Sequence, residues 1–135
     1  MIYTISIVPT PTPRPRIKSI LKNNKKISIA YYPKNYTLYK NNLSSKISEL
    51  KITPKDYSEL YVTFGVPYPK TVIGGKKNKI EGKPMRNKFD CDNVVKGLMD
   101  VLDNLNVLND DRQIYILCIS KLWTNTPGYI KFKLI

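Results

Sequence analysis

The sequence contains no histidine, which excludes every mechanism that uses imidazole as a base, a nucleophile or a metal ligand. It has only two cysteines, Cys91 and Cys118, which are far apart and have no partner at zinc-binding spacing. A disulfide framework and a zinc site are therefore not expected. Any chemistry must come from carboxylates, lysines and hydroxyl groups.

Long apolar runs are also missing, since none approaches the roughly 18 residues that a membrane-spanning helix needs. The segment from Met1 to Pro9 is too short and uncharged for a secretory signal, and a basic, proline-rich stretch follows it. We therefore expect a cytoplasmic protein without a membrane partner. A length of 135 residues predicts one domain, residues 1–135, that can bury a core without disulfides.

Acidic residues are few and unevenly placed. The chain has 10 Asp and Glu against 23 Lys and Arg, a formal net charge of +13. This balance indicates a nucleic acid partner, although an AT-rich genome would also produce an excess of lysine and asparagine. Six of the ten acids lie between Asp90 and Asp111, and all six are aspartates. Closely placed carboxylates repel unless one is protonated or a cation lies between them, so this segment is a candidate metal site.

Apolar periodicity predicts five strands and two helices. The predicted strands are Tyr3–Val8, Ile27–Tyr32, Leu60–Val66, Gln113–Leu122 and Tyr129–Ile135. The predicted helices are Asn35–Leu50 and Asp92–Leu105, and the second has the clearer apolar face.

Basic segments connect these elements. Pro9–Pro15 contains four prolines, so it is neither helix nor central strand, and it places Arg14 and Arg16 on a stiff extended segment. Lys18–Lys26 is predicted to be a basic turn. Lys70–Lys88 is predicted to be a loop, either a flap that contacts DNA or a merely solvated segment. The candidate DNA-binding residues are Arg14, Arg16, Lys76, Lys77, Arg86 and Lys88.

A short acidic motif stands where this loop enters the second predicted helix. Asp90 and Asp92 are two residues apart, so their carboxylates can converge on one cation. Oxygen donors without cysteine or histidine favour Mg²⁺ or Mn²⁺. Lys96 follows one helical turn after Asp92 on the same face, where it could hold an attacking water or neutralise a phosphate.

Each part of this motif also has an ordinary structural explanation. An aspartate before a helix is commonly a cap worth about 1 kcal/mol. An Asp–Lys pair four residues apart is commonly a surface salt bridge worth roughly a few tenths of a kcal/mol. Asp110 and Asp111 would be solvated turn residues. Considered part by part, the motif is therefore compatible with either a metal site or an ordinary helix N-terminus.

Three features occur in a fixed order along the chain. They are Asp90-x-Asp92-Asn93-x-x-Lys96, then an apolar-faced helix with Asp100, then Asp110-Asp111-x-Gln113 leading into a strand. In order, spacing and context they closely resemble the RusA family of Holliday junction resolvases. Pro13-Arg14-Pro15-Arg16 after the first strand resembles that family's proline-arginine segment. The resemblance is densest from Asp90 to Lys121, and the order of elements fits most of the chain.

The resemblance implies a small α+β fold, a mixed sheet with two main helices, that forms a homodimer. It implies a nuclease that resolves four-way DNA junctions in recombination and repair by paired, symmetric cleavage with Mg²⁺ or Mn²⁺ and no small-molecule cofactor. The family's essential carboxylates carry over to Asp90, Asp92 and Asp111, and its essential lysine to Lys96. Asp110 is the fallback ligand.

The sequence departs from the family pattern at two positions. Cys91 stands between the paired aspartates where an aliphatic residue is usual, and Phe89 precedes them where proline or a basic residue is common. Neither change removes a ligand. Two other functions stay open: a non-catalytic DNA- or RNA-binding module, and a nuclease with a broader specificity for branched DNA.

Overall fold

A computed structural model describes residues 1–72, 75 and 79–135. Within these residues, strands and helices follow one another in the order expected of an α+β fold. The strands are β1 (Ile2–Ile5), β2 (Arg16–Lys22), β3 (Lys25–Tyr31), β4 (Glu59–Pro67), β5 (Ile116–Thr124) and β6 (Tyr129–Leu134). The helices are α1 (Lys34–Glu49) and α2 (Cys91–Asn104), with a single 3-10 turn, η1 (Asp111–Gln113), between α2 and β5.

Four strands form a mixed sheet in the order β1-β6-β4-β5. β4 and β5 run parallel, whereas β6 is antiparallel to both β1 and β4. Two parallel neighbours need a crossover connection, and α2 and η1 lie within the one that joins β4 to β5. The predicted mixed sheet with two helices is confirmed.

Both helices cover one face of this sheet. Alternate residues of β4 and β6, such as Phe64 and Phe132, are fully buried beneath them. Gly97 lets the helices approach closely, because a Cβ there would lie 3.2 Å from the Tyr36 hydroxyl. The close approach offsets the roughly 0.5–1 kcal/mol that glycine costs inside a helix.

The apolar face of α2 is the one that the sequence predicts. The residues of this face are all buried: Val94, Val95, Leu98, Val101 and Leu102. The helix runs from Cys91 to Asn104, one residue earlier at each end than predicted. Since its buried face is fixed by packing, the opposite face carries Asp92 and Lys96 into solvent.

The predicted basic turn at Lys18–Lys26 is wrong, because this segment is part of a β-hairpin. β2 pairs with β3 and with no other described strand. Asn23 and Asn24 form the turn with φ of 53° and 63°, the left-handed pair that a tight two-residue hairpin requires and that asparagine tolerates. Most of β3 was predicted as the strand Ile27–Tyr32, but β2 was missed because Ile17 and Ile20 lie on opposite faces and give no period of two.

The other predicted bounds need smaller changes. β1 ends at Ile5, so the chain is already irregular at Ile7 and Val8, and β5 begins at Ile116 because Gln113 belongs to η1. None of the helices in the described part of the chain is long and apolar enough to cross a membrane.

The core packing predicts a large cost for truncating a buried leucine of α1. Leu43 is 0% exposed and Leu38, on the same helix, is 57% exposed. We expect Leu43→Ala to lower the free energy of unfolding in urea by about 2–5 kcal/mol. Leu38→Ala is the matched control and should change it by less than about 0.5 kcal/mol. Equal losses for the two variants would contradict the described core.

Candidate active site

The N-terminus of α2 presents two carboxylates that take no part in ordinary helix capping. Asp90 precedes the helix in an extended conformation, and its side chain makes no capping hydrogen bond. Asp92 lies in the first turn, and both side chains are exposed. No salt bridge among the described residues involves either one. The structural explanations that the sequence left open, a cap at Asp90 and an ion pair between Asp92 and Lys96, are therefore not what the structure shows.

Lys96 is exposed one turn further along α2. Its ammonium group makes no salt bridge to a described acid, so it is available to an anionic ligand. The positive end of the helix dipole lies at the same place and favours anions. The exposed end of α2 thus offers carboxylate oxygens for a cation and, beside them, positive charge for a phosphate.

Lys121 of β5 holds the residue in front of Asp90. Lys121 is aligned with buried Phe64, so its side chain lies on the helix-covered face of the sheet. Its ammonium donates a hydrogen bond to the carbonyl oxygen of Phe89 and lies 5.7 Å from the centre of the Phe89 ring. Sequence reasoning missed this residue. The available signal was a lysine on the inward-facing side of an otherwise apolar alternation in β5.

The proline-rich segment is tied to the same end of α2. The Thr12 amide donates to the carbonyl oxygen of Asn93 at 2.8 Å, and the Thr12 hydroxyl lies 2.8 Å from the Tyr36 hydroxyl. Burial raises the pKa of Tyr36, which keeps this phenol neutral. Arg14 and Arg16 follow the anchored Thr12 by two and four residues and are exposed.

The last part of the basic loop is attached to the edge of β5. The Met85 amide donates to the carbonyl oxygen of Lys121 at 2.9 Å, and the Trp123 amide donates to that of Lys83 at 2.9 Å. Met85 itself is buried. This pairing places Arg86 and Lys88 just ahead of Phe89, and the Lys88 ammonium lies 5.8 Å from the centre of the Trp123 ring.

Two predicted DNA-binding lysines, Lys76 and Lys77, lie outside the described residues. The four that are described, Arg14, Arg16, Arg86 and Lys88, all have exposed side chains. They reach the vicinity of α2 along two separate segments, one anchored at Asn93 and one at β5.

Asp111 lies towards the other end of α2. Its pKa is raised by a hydrogen bond with Asp110, by desolvation, and by the negative charges of Asp103 and Asp100. Along the helix axis Asp103 is about 16 Å from Asp92. In the described part of the chain, no three acidic or cysteine side chains lie close enough to hold one metal ion. The structure therefore brings Asp90 and Asp92 together with Lys96 but does not add Asp111 to them.

Asp110 is occupied by its own neighbour. Its carboxylate accepts hydrogen bonds from the Arg112 amide at 2.8 Å and from the Arg112 guanidinium at 2.7 Å. These bonds hold the pKa of Asp110 well below its usual range. Gln113 closes the turn, because its side-chain oxygen accepts hydrogen bonds from the Asn109 and Asp110 amides at 2.8 and 3.2 Å. Its side-chain nitrogen donates to the carbonyl oxygen of Tyr57 at 2.9 Å and so ties the turn to the chain before β4. The Asp110-Asp111-x-Gln113 motif thus builds a fixed turn that leaves Asp111 without a salt bridge among the described residues.

Comparison with known families decides the class of protein. The family model described as endodeoxyribonuclease RusA matches residues 6–132 of the 135-residue chain. The chain belongs to the RusA family. This RusA chain is accordingly an endodeoxyribonuclease of a Holliday junction resolvase family, and the resemblance seen in the sequence is confirmed. A comparison with curated proteins finds no match.

The contact between Lys121 and Phe89 predicts a defect in cleavage when it is removed. Lys121→Met keeps the aliphatic stem but loses the donor that fixes the backbone next to Asp90. We expect DNA cleavage to slow on the order of tenfold, a cost of about 1.4 kcal/mol in the barrier. The concentration of divalent metal ion for half-maximal cleavage should rise, because the backbone that positions Asp90 is less firmly held.

Lys131→Met is the matched control, since Lys131 is an exposed lysine of β6. Lys121→Arg retains a donor and should recover part of the rate. If Lys121→Met and Lys131→Met shared the wild-type rate and the wild-type dependence on divalent metal ion, the positioning role of Lys121 would be refuted.

Proposed function

We propose that this chain is a Mg²⁺-dependent endonuclease that resolves four-way DNA junctions by paired, symmetric phosphodiester cleavage as a homodimer. The observation that carries the proposal is the pair Asp90 and Asp92 at the start of α2, since both carboxylates are exposed and neither forms a salt bridge with a described residue. Belonging to the RusA family supports the reaction and the branched substrate.

The donor set of this pair fits a divalent cation. Asp90 and Asp92 offer only oxygen ligands and are exposed, so a bound ion would keep several waters, as Mg²⁺ prefers. Mn²⁺ accepts the same ligands and should substitute. When bound, the metal supplies an activated water and stabilises the charge that develops on the phosphate and the leaving oxygen.

We assign the third carboxylate to Asp111 rather than Asp110. The family pattern supports Asp111 by its spacing from Asp92, and the hydrogen bonds from Arg112 already engage Asp110. Asp111 has no salt bridge to a described residue, but it stands with Asp103 and Asp100. Its participation therefore requires a local movement of its side chain or of η1 towards the pair.

The remaining polar groups act on the DNA. Lys96 neutralises the scissile phosphate next to Asp92, in a position where the N-terminus of α2 adds to the positive potential. Arg14, Arg16, Arg86 and Lys88 hold flanking phosphates from the two anchored segments. These contacts carry little sequence information, so recognition depends mainly on the shape of the branch.

A homodimer suits the substrate. A four-way junction has near two-fold symmetry, and a two-fold dimer presents two equivalent sites to opposing strands. Each subunit then makes one of the paired cuts. Such an enzyme acts on DNA in the cytoplasm.

Replacing one carboxylate of the pair tests the chemistry. Asp92→Asn should reduce junction cleavage in Mg²⁺ by at least about a hundredfold, since it removes a charged ligand, while junction binding is retained or tightened as a repelling charge is lost. Cleavage of labelled four-way, three-way and linear DNA is measured in Mg²⁺ and in EDTA. Wild type should cut the four-way junction fastest and cut nothing in EDTA.

Glu49→Gln removes one negative charge at the exposed end of α1 and is the charge-matched control; it should cut like wild type. If Asp92→Asn cleaved the junction as fast as wild type, the start of α2 would not be a nuclease site and the binding-module alternative would be favoured. If wild type cleaved all three DNAs at the same rate, the proposed preference for four-way junctions would be wrong, whereas the proposed nuclease activity would stand.

The neighbouring aspartates test the third ligand. Asp111→Asn should lose cleavage as severely as Asp92→Asn. Asp110→Asn should retain most activity, because asparagine can still accept the Arg112 amide that caps η1. The two variants carry the same substitution one residue apart, so their cleavage rates compare directly. The reverse order of severity would assign the ligand to Asp110.

A further inference from the structure

The hairpin formed by β2 and β3 projects from the fold without a described strand beside it. Its residues are exposed except for Ile20 and Ile29, which are half-buried. Ile17 and Leu21 are 73% and 74% exposed, and both point to the same face of the hairpin. An isolated two-stranded hairpin is marginal in water, so exposed apolar side chains on it indicate a surface that a partner covers.

The charge of this hairpin selects the kind of partner. No acid occurs in the chain before Glu49, whereas the hairpin alone carries five basic residues: Arg16, Lys18, Lys22, Lys25 and Lys26. Lys22 and Lys25 are directly opposite each other beside the turn. Like charges at opposite positions destabilise a strand pair, and a polyanion lying against them removes that repulsion.

We propose that the β2–β3 hairpin is an arm that lies in a groove of the substrate DNA at the branch point. The face that carries Ile17 and Leu21 lies against bases, and the opposite face, which carries Arg16, Lys18, Lys22 and Lys25, lies against backbone phosphates of the adjoining duplex arm. The proposal rests on the proposed function. A two-stranded ribbon fits the major groove, which is about 12 Å wide. Each seven-residue strand is about 23 Å long, so the arm spans roughly two thirds of a helical turn of DNA.

The base of the arm is held close to the cutting site. β2 begins at Arg16, four residues after Thr12, and Thr12 is bonded to the carbonyl oxygen of Asn93. Asn93 is the residue next to Asp92. DNA that engages the arm is therefore placed in register with the carboxylate pair, and the distance between the branch point and the cut is set by this anchor.

A second copy of the chain is the other partner that an exposed hairpin could meet. Hairpin against hairpin would bring ten basic residues together with no acid from either arm. That repulsion favours DNA. If the arm instead held the acidic α2–η1 region of another copy, its removal would break a dimer without changing the DNA contacts.

The arm is tested by removing three lysines near its tip, Lys22→Ala, Lys25→Ala and Lys26→Ala together. The control removes three exposed lysines from elsewhere, Lys51→Ala, Lys131→Ala and Lys133→Ala, and so has the same net charge. Binding to a four-way junction is measured in Ca²⁺ or EDTA over a range of salt. We expect the arm variant to lower the magnitude of the slope of log K against log salt by about two to three, at roughly 0.9 for each phosphate that is no longer neutralised, and the control to lower it by less than about one.

Single-turnover cleavage at saturating protein should stay within about threefold of wild type for the arm variant, because Asp90, Asp92 and Lys96 are unchanged. If wild type did not cleave the junction, the proposed function would be wrong. If the arm variant and its control had equal salt slopes, only the proposed contact between the arm and DNA would be wrong. A change from dimer to monomer in the arm variant, with the wild-type salt slope, would assign the arm to subunit contact and overturn the proposal.

The apolar part is tested with Leu21→Ser and with Leu38→Ser, which changes an exposed leucine of α1. A junction carrying 2-aminopurine at the branch point reports unstacking as increased fluorescence. Wild type and Leu38→Ser should give the same increase, and Leu21→Ser should give less than half of it. The same increase for all three proteins would show that the apolar side chains do not reach the bases.

Discussion

The burial of one face of α2 against the four-stranded sheet is the constraint on which the site depends. Leu98 and Leu102 are fully buried, so the helix has one rotation about its axis. That rotation sends Asp92 and Lys96 outward together. Hydrogen bonds from Lys121 and Thr12 then fix the backbone on either side of the pair. A small apolar core thus determines where these charged groups lie.

Structural features that follow from a regular spacing of apolar residues were predicted correctly. The face of α2, the existence of both helices and the inward alternation of β6 follow from apolar spacing alone. The second strand of the hairpin was predicted, but the first was missed because its apolar residues do not alternate, and an Asn-Asn turn is a weaker signal than Asn-Gly. The pairing of Met85 with Lys121 depends on a tertiary contact that no local pattern records.

The site was predictable in part for the same reason. Asp90, Asp92 and Lys96 lie within seven residues, so a helix and its start suffice to place them together. Asp111 lies beyond the far end of that helix, and its position depends on how η1 packs. There Asp110, desolvation, and the negative charges of Asp103 and Asp100 raise the pKa of Asp111. No local sequence pattern places Asp111 relative to the other two carboxylates, and only the resemblance to a family pointed to it.

The parallel pairing of β4 with β5 has a consequence for how such a protein can change. The chain between these strands carries the basic loop, α2 and η1 as one excursion, and both of its ends are held in the sheet by β4 and β5. Because α2 supplies much of the core, only the basic loop ahead of it can be lengthened or exchanged while the strand ladder persists. The fold therefore separates a constant frame, which includes α2, from a variable loop through which substrate preference can change with limited risk to stability.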